Sequence, residues 1–333
     1  MSAPRYARWL PLLGIIISLV ILAIVANQFG YNFQVVFKIK PVYLILAMCT
    51  SAGVLLLQGL RFRYVVHAFT DIEKLPLLES LIIRMGSQFV AMTTPAYVGG
   101  EFARAAWLTK KGVSGGTALW LPYIEIIFDV FATGIVAVIG GLLALEEGQL
   151  FLGGILTLMS AVMLGLMILA ISYSRSSRFR FPSFLVKLTH RVAGEHHASW
   201  LQSWGTKLFN ELRAASSNTL NSGHKMAIFW TSLYTLFITL LTGGTLVFTA
   251  QGLGITLNFY EATLAVFASI MLGNLPVTFG GSGLAELGVY YYSSIVFGVS
   301  SWPMVFAWRV SSYIMPLVVT WAAATISLHR YAR

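Results

Sequence analysis

Six windows of the chain, at about 9–29, 41–66, 117–145, 150–172, 225–251 and 303–328, run apolar for at least the ~20 residues a helix needs to cross a bilayer. Lipid offers no water to a peptide group, so segments of this kind are helices that satisfy their own backbone, and the chain is predicted to be an all-α polytopic membrane protein. Composition agrees: only 10% of the 333 residues are charged, against ~25% in a soluble domain. The formal charge of +10 comes from 22 Lys and Arg against 12 Asp and Glu, too sparse for the dense basic stripe of a nucleic-acid binder. A soluble enzyme and a nucleic-acid partner are both excluded. One cysteine, Cys49, provides neither a disulfide nor a thiolate cluster, so no metal and no cofactor is expected. Arg5 and Arg8 precede a long apolar run without a small-x-small cleavage site, which reads as a retained first span.

Two further apolar stretches, 75–112 and 259–298, are interrupted by Pro, by Gly pairs and by charges. Each reads as a hairpin of shorter helices, whether full spans or re-entrant halves, that returns to the side it left. Parity then puts Arg5 and Arg8, the group Arg61, Arg63 and Lys74, the pair Lys110 and Lys111, the 173–224 segment and Arg330 with Arg333 on one side. The positive-inside rule makes that side cytoplasmic, with both termini there, in the cell membrane. Lys38 and Lys40 alone dissent. Segment 173–224 reads as a basic amphipathic connector lying on an anionic leaflet, at roughly 1 kcal/mol per basic residue. Its adjacent His196 and His197 lack the i,i+4 spacing of a helical metal site. Residues 1–333 form a single integral membrane domain on this reading.

The hairpins share a pattern. Residues 92–101 read MTTPAYVGGE and residues 273–286 read GNLPVTFGGSGLAE, so Pro95, Gly99 and Gly100 recur as Pro276, Gly280 and Gly281 at one offset, with Glu79 near the shift to Glu261. Parity sets the two hairpins on opposite faces, as in an inverted repeat whose site lies at broken helices near the midplane. Close helix packing would also use such glycines. Pro ends the incoming helix, glycine lets the chain turn, and the next helix starts near Gly100 or Gly283 with amides suited to an anion such as a lipid phosphate. No Walker-type Lys-Ser/Thr follows, so nucleotide binding is unsupported.

Arg84, Glu101, Arg104, Glu125, Asp129, Glu261, Glu286 and Arg309 lie in or beside apolar segments. A charge in hydrocarbon costs at least ~2.5–3.5 kcal/mol, so these groups must face one another or water. Glu101 and Arg104 share a helix face at i,i+3, with the glutamate at the favourable N-terminal end. Glu125 and Asp129 are i,i+4 carboxylates that either hold a proton or meet Arg84, Arg104 or Arg309. Such a set serves a proton-coupled step or, alternatively, an ion-pair network that only ties helices together. Arg309, with Tyr313 at i+4 and Pro316 behind it, either presents a cation to a headgroup phosphate or snorkels to the interface. Tyr290, Tyr291 and Tyr292, with Trp302 and Trp308, read as an interfacial belt.

At these residues the sequence resembles the membrane region of lysylphosphatidylglycerol synthases, the multiple peptide resistance factor family, and its stand-alone flippase-like relatives. TTPAYVGGEFARAAWL, IEIIFD and NLPVTFGGSGLAELG carry the likeness, which extends over nearly the whole chain. The family's P-x-x-x-G-E-x-x-R pattern maps to Pro95, Gly100, Glu101 and Arg104. Its E-R-x-x-D pattern maps to Glu125 and Asp129, with Ile126 where Arg is common. Its late P-x-x-x-G-G-x-G-x-x-E pattern maps to Pro276, Gly280, Gly281, Gly283 and Glu286, and the following Arg to Arg309. The resemblance implies movement or presentation of a lipid: an aminoacylated phospholipid, a polyprenyl-phosphate-linked sugar or a hopanoid-type lipid. Family synthase activity resides in a separate soluble C-terminal domain, so with the chain closing at Arg333 lysyl transfer is not expected of it. An intramembrane transferase with Glu101 or Glu286 as general base, and a scaffold for a glycosyltransferase or other lipid-modifying enzyme, are the alternatives; a homo-oligomer fits any of them.

Overall fold

The computed structural model describes residues 38–331 except 71, 73–74, 95–96, 98, 177–180, 194, 220–223 and 276–280, and of the first 37 residues only Ile16 and Val20. The expected first span at 9–29 therefore lies almost wholly outside the described residues, as do Pro95, Pro276 and Gly280.

Every regular element among the described residues is helical. Helix α1 is Pro41–Phe69, α2 is Leu77–Met92, α3 is Gly100–Lys110, α4 is Gly115–Glu146 and α5 is Leu150–Arg175. A connector pair follows, α6 at Ser183–Ala193 and α7 at Glu195–Thr219. The second half comprises α8 at Lys225–Gly252, α9 at Phe259–Gly273, α10 at Leu284–Phe297, α11 at Trp302–Arg309, a π-turn at Val310–Ile314 and α12 at Met315–Tyr331. Among the described residues five stretches are long and apolar enough to cross a membrane: α1, α4, α5, α8 and the continuous 302–330 run.

Local chemistry sets the boundaries. Pro41 opens α1 at a position whose N–H has no intrahelical partner in any case. Asn258 and Glu261 cap α9 reciprocally: each side chain accepts the other's backbone N–H at 2.9 Å. Pro316 explains the π-turn. It cannot donate to the carbonyl four residues back, so the last span widens by one residue just after Arg309.

The two long helices α1 and α8 pack along each other and form the spine. Each also packs on the first arm of the hairpin that follows it, α1 on α2 and α8 on α9. Those arms then cross over: α2 lies against α12, and α9 lies against α4. The connector helix α7 docks on the start of α4, where Gly116 N donates to Glu211 Oε2 at 2.8 Å and Trp120 Nε1 donates to Thr219 Oγ1 at 2.8 Å.

The tyrosine and tryptophan set is no interfacial belt. Tyr292 is fully buried and its hydroxyl donates to the Gly140 carbonyl at 2.8 Å, while Tyr290 stacks on Trp302 with ring centroids 4.1 Å apart. Trp302 and Trp308 are also core residues, and of the tyrosines Tyr291 is exposed. A run of three tyrosines on a helix spreads over three faces, and of the three only Tyr291 points outward here.

Candidate functional site

Glu125, in the first half of α4, is almost completely buried and sits among three arginines from three other helices. Arg61 of α1 donates from Nε to Glu125 Oε1 at 3.3 Å; Arg84 Nε of α2 stands 3.7 Å from the same oxygen, and Arg104 Nη1 of α3 stands 3.7 Å from Oε2. One turn further along α4, Asp129 receives Arg61 in a two-pronged contact, Nη1 to Oδ1 at 2.6 Å and Nη2 to Oδ2 at 2.8 Å. The fork geometry of guanidinium matches a carboxylate in this way, which lysine cannot do. Arg61 Nη1 also donates to Thr235 of α8 at 2.8 Å, and Arg84 Nη1 to Gln88 at 2.8 Å.

The two hairpin turns place the remaining charges. Gly99 and Gly283 both adopt positive φ, 126° and 90°, which lets the chain reverse into α3 and α10. In each case a glutamate reaches back to the glycine N–H: Glu101 Oε2 accepts from Gly99 at 3.2 Å and Glu286 Oε2 accepts from Gly283 at 2.7 Å. Each glutamate then meets an arginine with its other oxygen, Glu101 with Arg104 at 3.5 Å and Glu286 with Arg309 at 2.7 Å. Each carboxylate thus takes up one N–H at its helix start and places its charge at the positive end of that helix's dipole. Arg309 further lies over the Tyr313 ring, 3.9 Å from its centroid, and Tyr313 Oη donates to the Met92 carbonyl at the end of α2 at 3.0 Å.

These groups surround one cavity of about 600 Å³. Arg84, Glu101, Arg104, Glu125, Asp129 and Arg309 line it, together with Tyr97, Tyr313 and Ile126. Its rim carries exposed Phe102 and Tyr123, and the Asp129 side chain is 41% exposed. Glu286 stands behind Arg309 and does not reach the cavity; Gly99, Gly100, Gly281 and Gly283 shape the turns. Gly281, at φ 64°, packs against the backbone of Gly273. Among the described residues no group of three or more His, Cys, Asp or Glu is placed to hold a metal ion.

The chain matches the family model described as "Lysylphosphatidylglycerol synthase TM region" over residues 12–320. It belongs to that family. It is also similar to a "UPF0104 membrane protein" of Archaeoglobus fulgidus, 25% identical over 319 residues, covering 91% of this chain and 92% of that one.

Within this lysylphosphatidylglycerol synthase TM-region chain, two sequence expectations change. Arg61, which the sequence counts as a cytoplasmic loop charge, is fully buried in the ion network. Helix α1 runs on to Phe69, so Arg61 lies about two turns inside it. It supplies from α1 the countercharge that Ile126 does not supply on α4. Glu79 and Glu261 do correspond, each being the third residue of its hairpin's first arm, but their partners differ: Glu79 meets Lys111 at 2.8 Å, whereas Glu261 caps α9. The hairpin turns differ in length too, 93–99 against 274–283, so the second helix restarts three residues later than the matched glycines imply.

Proposed function

We propose that the protein moves or presents a lipid by receiving its phosphate headgroup in the central cavity. The observation that carries this reading is the placing of Arg84, Arg104 and Arg309, each no more than 5% exposed, on the wall of one intramembrane space. Guanidinium groups are costly in an apolar protein interior and are kept there for an anion or a carboxylate. Here the carboxylate of Glu125 is contacted at only 3.7 Å by Arg84 and Arg104, longer than a hydrogen bond, so both retain donors for a phosphate oxygen. The apolar rim at Phe102 and Tyr123 suits the passage of a headgroup whose acyl or prenyl chains stay in the bilayer.

The packing scheme supports alternating access. Exchanging α1 for α8, α2 for α9, α3 for α10 and α4 for the 302–331 run reproduces the contacts these elements make with one another, including the crossing of each hairpin onto the other half. Two copies of one element related by a two-fold axis produce that exchange, and an inverted repeat would open its shared cavity to each leaflet in turn. The setting is the cytoplasmic membrane, with both termini on the cytoplasmic side.

The test is reconstitution of the full chain in vesicles containing fluorescent phosphatidylglycerol or a fluorescent prenyl phosphate, with leaflet accessibility read by a membrane-impermeant quencher. Transbilayer movement faster than in protein-free vesicles is expected. Arg104→Gln should slow it about ten- to hundredfold, the loss of one charge-assisted contact. Absence of movement for every phosphate-bearing lipid would remove the reading.

A further inference from the structure

Apolar side chains exposed along α1, α4, α5 and α8 are the ordinary surface of helices that lipid surrounds. The connector carries a comparable surface outside any span. Helix α7 has 25 residues yet is not among the stretches apolar enough to cross a membrane. Even so, Trp200 is 61% exposed and Trp204 49%, with their rings stacked at 6.0 Å between centroids. On α6, Phe184 and Leu188 are exposed one turn apart, beside Lys187 and Arg191. Charge and sequence pattern alone set this segment near an anionic leaflet without saying which flank of α7 would meet it.

The fold supplies the flank. Ala198, Leu201, Gly205, Leu208 and Leu212 turn inward and are buried or half-buried. Trp200, Trp204, Lys207 and Glu211 recur at i, i+4, i+7 and i+11, so they share one flank of the helix. At the far end of that flank Glu211 accepts Gly116 N of the first turn of α4, and beyond it Ser216 Oγ donates to the Ser174 carbonyl in the last turn of α5 at 3.4 Å. Both are ends of helices long and apolar enough to cross the bilayer, so the flank is held level with the point where they enter it. Trp204 stands about 10 Å back from Glu211 along the helix, at ~1.5 Å per residue. Gln202 and Thr206, roughly opposite, are exposed and polar. We propose that the Trp200–Trp204–Lys207 flank is a membrane-docking surface, seated in the headgroup layer of the leaflet that α4 and α5 enter and selective for anionic lipid. Indole rings settle at that depth because the ring body is apolar and the N–H is wet. Among the described connector residues, exposed Lys187, Arg191 and Lys207 outnumber exposed Glu195, and Glu211 is held by α4. That balance complements anionic headgroups.

The test uses the full chain with Cys49→Ser and one new thiol, from either Trp204→Cys or Thr206→Cys, labelled with an environment-sensitive fluorophore. Both positions are exposed, so neither change removes a buried side chain. The labelled chain is reconstituted in vesicles of phosphatidylcholine with phosphatidylglycerol, one of the two lipids carrying a shallow nitroxide quencher. With the nitroxide on phosphatidylglycerol, most of the emission should be lost at 204 and little at 206. Moving it to phosphatidylcholine should weaken the quenching at 204 by about two- to fivefold, the enrichment that a few basic residues near the surface produce. Lys187→Gln, Arg191→Gln and Lys207→Gln together should abolish that difference and keep 204 more quenched than 206. Equal quenching at 204 and 206 would overturn the docking flank. Equal quenching by the two lipids, in the chain with its basic residues intact, would overturn the anionic selectivity. A position 204 that lipid nitroxides do not reach, and that becomes shielded as the protein-to-lipid ratio rises, would assign the flank to a second copy of the chain and overturn the proposal as well.

Discussion

The two hairpins turn in the same way and do different work. In both, a positive-φ glycine is capped by a glutamate that also holds an arginine. In the first, the arginine is on the hairpin itself, and Arg84, Glu101 and Arg104 all face the cavity. The second contributes Val266, Phe267, Ser269, Ile270, Gly273 and Ala285 to the same wall, and its glutamate stays behind Arg309. Helix α9 is buried over most of its length, and Gly288 of α10 lies so close that an added Cβ would meet Ser269 Cα at 2.7 Å. One hairpin carries chemistry and the other packing. The same backbone device can therefore stand at two turns while only one of the two hairpins sets charged side chains on the cavity wall.

Arg61→Leu should do the greatest damage to the charged half. It leaves Glu125 and Asp129 short of their main countercharge, and losing one partner of a buried pair costs about 3–5 kcal/mol. Thermal unfolding of the detergent-solubilised chain should show that loss, and Arg61→Leu combined with Glu125→Gln and Asp129→Asn should recover most of it. Were the triple variant as unstable as the single one, Arg61 would be acting through packing and not through charge.

Glu286→Gln tests the pair in the second half. Arg309 keeps its stacking on Tyr313 but loses its buried anion, so a drop of about 2–4 kcal/mol, read in the same unfolding experiment, is expected. Gly288→Val probes packing alone. Overfilling the α9–α10 contact should cost about 1–3 kcal/mol, with phosphatidic acid binding unaffected in the folded fraction. Glu101→Gln should be the mildest for stability, about 1 kcal/mol from a weakened cap, because its side chain is partly solvated. Its effect should show in lipid binding instead, since Arg104 is then released from its nearest anion and phosphatidic acid should bind more tightly. An Glu101→Gln variant that unfolds as readily as Glu286→Gln would erase the distinction between the hairpins.

Much of this was legible because charges and long apolar runs are costly to misplace. Helical spans follow from uninterrupted windows, and Glu101, Arg104, Glu125 and Asp129 stand out since lipid would exclude them. Arg61 does not stand out: near the end of an apolar window, a buried arginine and an interfacial anchor have the same neighbours in sequence. Only the extension of α1 to Phe69 and the crossing of α1 over α4 tell them apart. Tyr292 misleads for a different reason, since an aromatic hydroxyl satisfied by a carbonyl is as comfortable in the core as at the interface.

Along the cavity wall and just behind it, four arginines, Arg61, Arg84, Arg104 and Arg309, stand against four carboxylates, Glu101, Glu125, Asp129 and Glu286. In their ionised forms they sum to zero. If that network moved as one rigid body across the membrane, its net charge would add nothing to the work done against the voltage. On the lipid reading proposed above, a monoanionic headgroup would by itself feel about 2.3 kcal/mol per 100 mV.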